Sequence, residues 1–387
     1  MSTAGTFMIT AVLGLSIFVS PFAANAETLV STEPPAGALG LSVRNEVNAA
    51  IGRGQNWVAA MQKDDGSWSQ GTFPALTALS VWALLDSKDP ACSAAVDKGI
   101  KYILTCVQKD GGIYRNVPGR KGGGLSNYNT AICMTVLNES KRRALVPVIL
   151  KAREFVANSQ HMGDDVYKGG FGYDGQTGRA YTDLLNTYYA AQAMHLTAGV
   201  EDLRPKSSKK VDIDWQATVK FIERMQNPDG TGDNSGGFFY NPTDPKAGST
   251  TNAAGTVTFR SYGSMTYAGM LALIYAQVPR SDHRVRSAFD WASENWSLKE
   301  NPGMGGQGLF FFYNVLTRSL SAYGQNLVPG EKDKVIDWRS EMAKKLISIQ
   351  EIDPKTGNGY WKNETGRFWE NDPTLATAYS IIALKML

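Results

Sequence analysis

The sequence predicts an all-α chain, an α/α toroid of six helical hairpins, on three observations: a motif recurs six times in varying states of decay, two kinds of helix alternate, and a hairpin of this length cannot bury both its faces alone. The motif is fullest in residues 53–68, RGQNWVAAMQKDDGSW, where Arg53 and Gly54 open it, Trp57 and Val58 follow, then Gln62, and Gly66 and Trp68 close it. Its first half reads as an amphipathic helix ending near Gln62, and Asp65-Gly66 reads as a turn. The Gln amide is expected to bond backbone groups left open at the helix end, with the Trp ring covering that bond. Together they should lock the outer helix to the loop of its own hairpin.

Composition places few limits beyond a globular chain. With 387 residues, 43% hydrophobic and 19% charged, there is ample material for a large core. A net charge of +3 without a Lys/Arg cluster gives no basic stripe, so nucleic acid is not an expected partner. At the N-terminus an apolar run from Phe7 to Val19 precedes Ala24-Asn25-Ala26, an A-x-A pattern before Glu27. It reads as a signal peptide over 1–26, with an uncleaved anchor as the alternative because no Lys or Arg precedes the run; a Pro-containing linker over 27–42 and a single toroid domain over 43–387 follow, and the expected location is periplasmic or secreted. The apolar run is short for a membrane span and no later stretch reaches that length without polar interruption, so no stable span is expected in the mature chain. Cys92, Cys106 and Cys133 form no C-x-x-C pair and read as buried free thiols. Cys92 and Cys106 are expected on one helix, about 21 Å apart at about 1.5 Å per residue, too far to bridge.

Taken in order, the first unit pairs Val43 to Gln62 with Pro74 to Leu85, the Pro standing at a favourable first-turn position. The second pairs Ala94 to Gln108 with Asn127 to Leu137, with Ser126 as N-cap. The third runs from Leu145 to Gln160 and then from Asp183 to Leu196, and the fourth pairs Trp215 to Gln226 with Gly263 to Gln277. In the fifth, Trp296 stands where Gln is expected after Trp291-Ala292, and the second helix is Leu309 to Tyr323. The sixth has Trp338 to Gln350, an intact Gly359-Tyr360-Trp361, and a last helix within residues 371–387. First helices carry Lys, Arg, Glu and Asp on one side, as an outer layer facing water does. The second helices are poor in charge, and ALTALSVWALL, YNTAICMTVL and SMTYAGMLALIYA contain none. They form the expected inner layer, with loops at one end framing a mouth.

The motif order, with GGFGYDG at 169–175, SYGSMTYAGMLAL at 261–273 and Asn-Asp-Pro-Thr at 371–374, resembles the Gln-Trp repeats of the prenyltransferase/squalene cyclase superfamily, in particular exported bacterial members. The resemblance runs from about Asn48 to Leu387 and implies the terpenoid cyclase/protein prenyltransferase-like toroid, with a central pocket for an apolar or isoprenoid-like ligand. It does not bring the family's catalytic motifs. A class II cyclase needs a protonated carboxylic acid aimed into an apolar chamber, with the signature D-x-D-D or D-C-T-A-E. The nearest string, Asp212-Ile213-Asp214-Trp215, lacks the last Asp and reads as a helix N-cap. The adjacent pairs Asp64-Asp65 and Asp164-Asp165 lack D-D-x-x-D spacing for magnesium on a pyrophosphate and read as surface turns. His161, His195 and His283 are scattered and no Asp-x-Cys occurs, so neither a zinc site nor any cofactor is expected.

What remains is polar residues at the loop-proximal ends of the inner helices, where a ring would bring six helix starts together. Asp183 is the preferred acid or base and Asp372 the second, though capping is the plainer reading of both. Asn127, Tyr128, Asn186, Tyr188, Arg260, Tyr262 and Tyr313 are expected to bind substrate, Arg260 by neutralising a carboxylate or phosphate and the tyrosines by shaping the cavity or facing a cation. Helix dipoles converging there favour an anion. Phe310, Phe311 and Phe312 are adjacent on a helix and cannot all face inward. The ligand is thus a small molecule, isoprenoid or glycan. The glycan alternative, a lyase or hydrolase on an α/α toroid, draws on Asn127, Tyr128, Tyr262 and Arg260 or on a carboxylate pair about 5 to 9.5 Å apart. The third possibility is a non-catalytic binding or scaffold toroid.

Overall fold

The computed structural model describes residues 38–117, 124–175, 181–330 and 334–387. The expected signal peptide and residues 27–37 of the expected linker lie outside the described residues. Twelve helices are described: α1 (Leu41–Ala60), α2 (Pro74–Leu84), α3 (Pro90–Leu104), α4 (Ser126–Glu139), α5 (Val146–Asn158), α6 (Leu184–Leu196), α7 (Trp215–Arg224), α8 (Gly263–Tyr275), α9 (His283–Glu294), α10 (Leu309–Tyr323), α11 (Trp338–Ser348) and α12 (Pro373–Leu384). The even-numbered helices pack in sequence, α2 on α4, α4 on α6 and so on to α12, which packs back on α2. That closes the inner ring, and the odd-numbered helices lie against it from outside. Three short antiparallel pairs decorate the loops: β1 (Ser249–Thr251) with β2 (Val257–Phe259), β3 (Val328–Pro329) with β4 (Val335–Ile336), and β5 (Glu351–Ile352) with β6 (Gly359–Tyr360). No helix among the described residues is long and apolar enough to cross a membrane.

The charge-poor helices are inside because they are covered on all sides. In α2 every residue but Trp82 is buried, and in α8 Gly263 to Leu273 are all buried. Their threonines seat the loops. Thr77, Thr130, Thr187, Thr266 and Thr377 each accept, at Oγ1, the backbone N–H of Trp68, Ile113, Phe171, Phe238 and Trp361 respectively, at 2.8 to 3.2 Å. Trp68 and Trp361 are fully buried, and their indole Nε1–H groups donate to the carbonyls of Val58 (2.7 Å) and Leu346 (2.8 Å) on the outer helix of the same hairpin.

The glutamine does more than expected. Gln62 donates to Gly66 O in its own loop but also to Ala95 O on α3, the outer helix of the next hairpin. Gln160 reaches Asp214 O at the start of α7, Gln226 reaches Arg284 O on α9, and Gln350 reaches Ala50 O on α1. The amide therefore staples one hairpin to the next, and Gln350, which also accepts from Arg53 at 2.7 and 3.0 Å, joins the last to the first. Where Trp296 replaces Gln, its Nε1–H donates to Glu341 of α11. Among the described residues the Gln108 amide bonds within its own hairpin, to Cys106 O and Tyr114 O. At Gly169 (φ +89°) a Cβ would stand 2.0 Å from Ala217 O on α7, so the same joint demands both the left-handed backbone and the missing side chain.

Smaller expectations are corrected. α1 begins at Leu41, inside the expected linker. Cys106 lies two residues past the end of α3 rather than on it, although all three cysteines are free and buried. Ser126 is the first residue of α4, not its cap; Leu125 takes that place in the left-handed region. Asp214 caps α7 through Ala217 N–H, as its string suggested.

Candidate functional site

A cavity of about 530 Å³ opens at the end of the ring where the inner helices begin. Leu76 of α2, Tyr128 of α4, Leu185 and Tyr189 of α6, Ser264 and Met265 of α8, Phe311 of α10, and Leu375 and Tyr379 of α12 all line it from the first two turns of their helices. Loop residues complete the wall, and eleven of the twenty lining residues are aromatic. At the rear, Tyr189 stands edge-on to Tyr128 (5.3 Å), and the Tyr189 and Tyr379 hydroxyls are 3.4 Å apart. Phe311 leans on both Tyr189 and Tyr379.

The helix starts around this cavity are already satisfied. Asp183 caps α6 through Asn186 N–H (2.8 Å), and Asp372 caps α12 through Thr374 N–H (2.9 Å). The Glu370 carboxylate accepts from Phe310 and Phe311 N–H at the head of α10. Asn301 accepts from Ser264 N–H of α8, Asn129 from Ala75 N–H of α2, and Tyr173 O from Asn127 and Tyr128 N–H of α4. An anion held on helix N-termini would need these donors, so the expected dipole-based anion site is not formed.

One wall is polar. The buried Asp183 carboxylate accepts from Asn186 N–H and from Asn186 Nδ2, both at 2.8 Å, and the Tyr240 hydroxyl lies near it on the cavity side. Burial pushes its carboxyl up to about 6, and those hydrogen bonds hold it back from rising further. The Lys246 ammonium lies 5.1 Å from the Tyr240 ring centre while pairing with Asp244. Glu370 also lines the cavity, and burial raises its carboxyl as well.

The expected residues do not all converge. Tyr128 and Tyr262 line the cavity. Asp183 and Asn186 lie directly behind Tyr240, outside the lining. Asn127 is buried with its amide on Gly172 O, and Asp372 is half-buried and turned to its cap. Tyr313 is fully buried and donates to Leu298 O, away from the cavity, because the four consecutive aromatics Phe310 to Tyr313 point in different directions round the helix. Of the three adjacent phenylalanines, Phe311 faces the cavity and Phe310 and Phe312 are core. Arg260 is exposed beyond β2 and contributes nothing to the wall. Tyr188 sits one layer deeper, its hydroxyl accepting from Arg318 at 2.9 Å. Arg318 is buried, also donates to Gln192 and Tyr275, and stacks on Trp82 at 4.9 Å; among the described residues no carboxylate lies within 4 Å of it.

Sequence reading missed Tyr173, Tyr181, Tyr189, Tyr240, Lys246, Phe368, Trp369, Glu370 and Tyr379. For Tyr189 and Tyr379 a signal existed, since each lies one helical turn beyond a first-turn lining residue, Leu185 and Leu375. The loop residues had none. Phe368 (φ 61°) and Trp369 (φ 68°) adopt left-handed backbone at the mouth, which costs a non-glycine residue about 1–2 kcal/mol each.

A family model described as the prenyltransferase alpha-alpha toroid domain matches residues 52–149 and 128–247, together just over half the chain. No curated protein is a significant sequence match. Among solved structures, an inactive variant of the α-1,6-mannanase GH76A of Salegentibacter sp. HEL1_6 in complex with α-1,6-mannotriose is similar at a TM-score of 0.55 and 10% identity, over 88% of this chain and 98% of that one. A variant of the type II terpene cyclase MstE from Scytonema, in complex with its product merosterolic acid A, is similar at 0.53 and 11%, over 90% and 99%. At such identity the likeness is one of fold.

Proposed function

We propose that the chain, which belongs to the prenyltransferase alpha-alpha toroid family, holds an apolar, isoprenoid-like ligand in the cavity at the head of its inner ring. The observation that carries this is the lining itself, eleven aromatic side chains among twenty, around a volume within the range of small-molecule sites. Such a wall gains by burying methyl-rich hydrocarbon and offers few groups to hold a charge. The polar wall then takes the ligand's polar end. With Asp183 protonated, its carboxyl donates to Tyr240 and leaves the Tyr240 hydroxyl free to donate to the ligand; with Asp183 ionised, that hydroxyl is turned back to the carboxylate. Asp183 thus acts through Tyr240 as a positioning residue rather than as an acid that meets the ligand, and Asp372 is left to its cap.

Geranylgeraniol titrated into purified protein tests this. Saturable binding with a pH midpoint near 6 that vanishes in Asp183→Asn is the expected result; no binding overturns it. The glycan reading has its own observation, since seven tyrosines (Tyr128, Tyr173, Tyr181, Tyr189, Tyr240, Tyr262 and Tyr379) line the cavity and could bond sugar hydroxyls. Saturable binding of an oligosaccharide, with none of the alcohol, would install it instead. Export is part of the proposal, resting on the apolar run and Ala24-Asn25-Ala26. Sequencing the N-terminus of protein recovered outside the cytoplasm should find Glu27 first.

A further inference from the structure

Two consecutive aromatic residues in left-handed backbone, both lining one cavity, need a cause. Glycine or asparagine would make the same turn with less strain, and polar residues would be better solvated, because Phe368 and Trp369 are 47% and 41% exposed. The loop is nevertheless held firmly in place. On one side Glu370 anchors it to α10, bonding Phe310 and Phe311 N–H and accepting from Asn363 Nδ2 at 2.7 Å, while Asn363 N–H donates to Glu370 O. On the other, the Arg367 guanidinium stacks on the Phe368 ring at 4.9 Å and hydrogen-bonds Gln307. Trp369 stands edge-on to Phe73, the residue that opens α2, at 5.0 Å and 78°. So the loop bridges the heads of α10 and α2 across the mouth, and it presents two half-bare rings there. Strain and exposed aromatic area are both tolerated where the folded protein needs rings in that place for something it binds.

We infer that Phe368 and Trp369 form a clamp that grips the outer part of a ligand whose inner part fills the cavity, burying the ring faces now open to water. The clamp rests on the binding reading above and sharpens it, because it makes the site select for ligand length. A hydrocarbon long enough to reach from the Tyr189 and Tyr379 floor to the mouth gains from the two rings; a short one does not touch them. Glu370 is a positioning residue for the clamp and is not asked to meet the ligand.

The test compares geranylgeraniol with the shorter geraniol, by calorimetry, on wild type and on a Phe368→Gly, Trp369→Gly double variant. Glycine keeps the backbone turn and removes the strain but also removes the Arg367–Phe368 and Trp369–Phe73 contacts, so the melting temperature is measured beside the affinity. The expected result is a loss of about tenfold or more for geranylgeraniol, mostly as faster dissociation, with geraniol unchanged within about twofold. Trp369→Phe should recover most of the loss. If the double variant melts lower, the single Trp369→Ala variant carries the comparison. Equal affinities of wild type and variant for geranylgeraniol, or an equal loss for both alcohols, overturn the clamp and leave the cavity reading standing. Failure of both alcohols to bind wild type overturns the two together.

Discussion

The outer joints and the mouth of this ring are built by opposite rules. At the joints the same parts return from unit to unit: a threonine under the loop, a buried ring or aliphatic above it, a glutamine reaching the next hairpin. At the mouth almost nothing returns. Lys246 and the Phe368-Trp369-Glu370 run each line the mouth in one unit, and Asp183, whose capping place is repeated by Asp372, is the one of the two that is fully buried behind the lining. Repetition marks what every unit needs in order to stand beside its neighbour, and departure from it marks what the ring does once closed.

That contrast can be broken by experiment. The largest effect should come from a joint: Trp361→Ala or Trp68→Ala removes a fully buried ring and its hydrogen bond, and should cost about 3–5 kcal/mol in urea unfolding while the folded fraction binds geranylgeraniol as before. Lost binding by well-folded protein would erase the distinction. Arg318 is the harder case, unrepeated yet away from the cavity. Arg318→Met leaves the Tyr188 and Tyr275 hydroxyls and Gln192 without their charged donor, and should cost about 2–4 kcal/mol with no change in binding.

Asp183 should couple the mouth to pH. Its folded-state carboxyl is raised from 3.8 to about 6, so the folded form takes up a proton before the unfolded form does, and stability contributed by the neutral group is present below 3.8 and lost as pH rises through 6. Relative to Asp183→Asn, wild type should therefore gain on the order of 2 kcal/mol as pH falls from 7 to 4. A flat difference between the two denaturation series would remove the proton from the site. The smallest effect separates two glutamines: Gln62→Ala breaks a bond between hairpins as well as one within its own and should cost about 1–2 kcal/mol, whereas Gln108→Ala breaks bonds inside one hairpin and should cost no more than about 1.

The same contrast explains how much could be read from residue order. Helix pairs, inner and outer layers and the joint residues were legible because each signal was repeated, so a weak copy such as Trp291-Ala292 could be placed by its neighbours in the series. The second partner of Gln62, on α3, was not legible, since nothing local to residues 53–68 says which strand of chain lies alongside. Site residues were harder. Capping carboxylates and first-turn tyrosines announce helix starts, which led to Asp183, Tyr128 and Tyr262, but whether a side chain on a helix start faces the hollow depends on rotation round the axis. Tyr313 and Tyr188 failed there. Loop residues such as Lys246 and Trp369 arrive at the mouth through irregular backbone, for which no periodicity exists to be read.

The bond from Gln350 to Ala50 has a consequence for how the molecule comes apart. A linear stack of repeats frays from its two ends, because an end unit has one neighbour and an interior unit two. Once the sixth hairpin holds the first, no unit is an end, and opening any joint leaves five others still binding the arc together. Melting should then be a single event whose midpoint is set by the whole circle, and moving the chain's termini to another inter-hairpin loop by circular permutation should leave that midpoint nearly in place, provided the old ends are linked without disturbing Arg53 and Gln350.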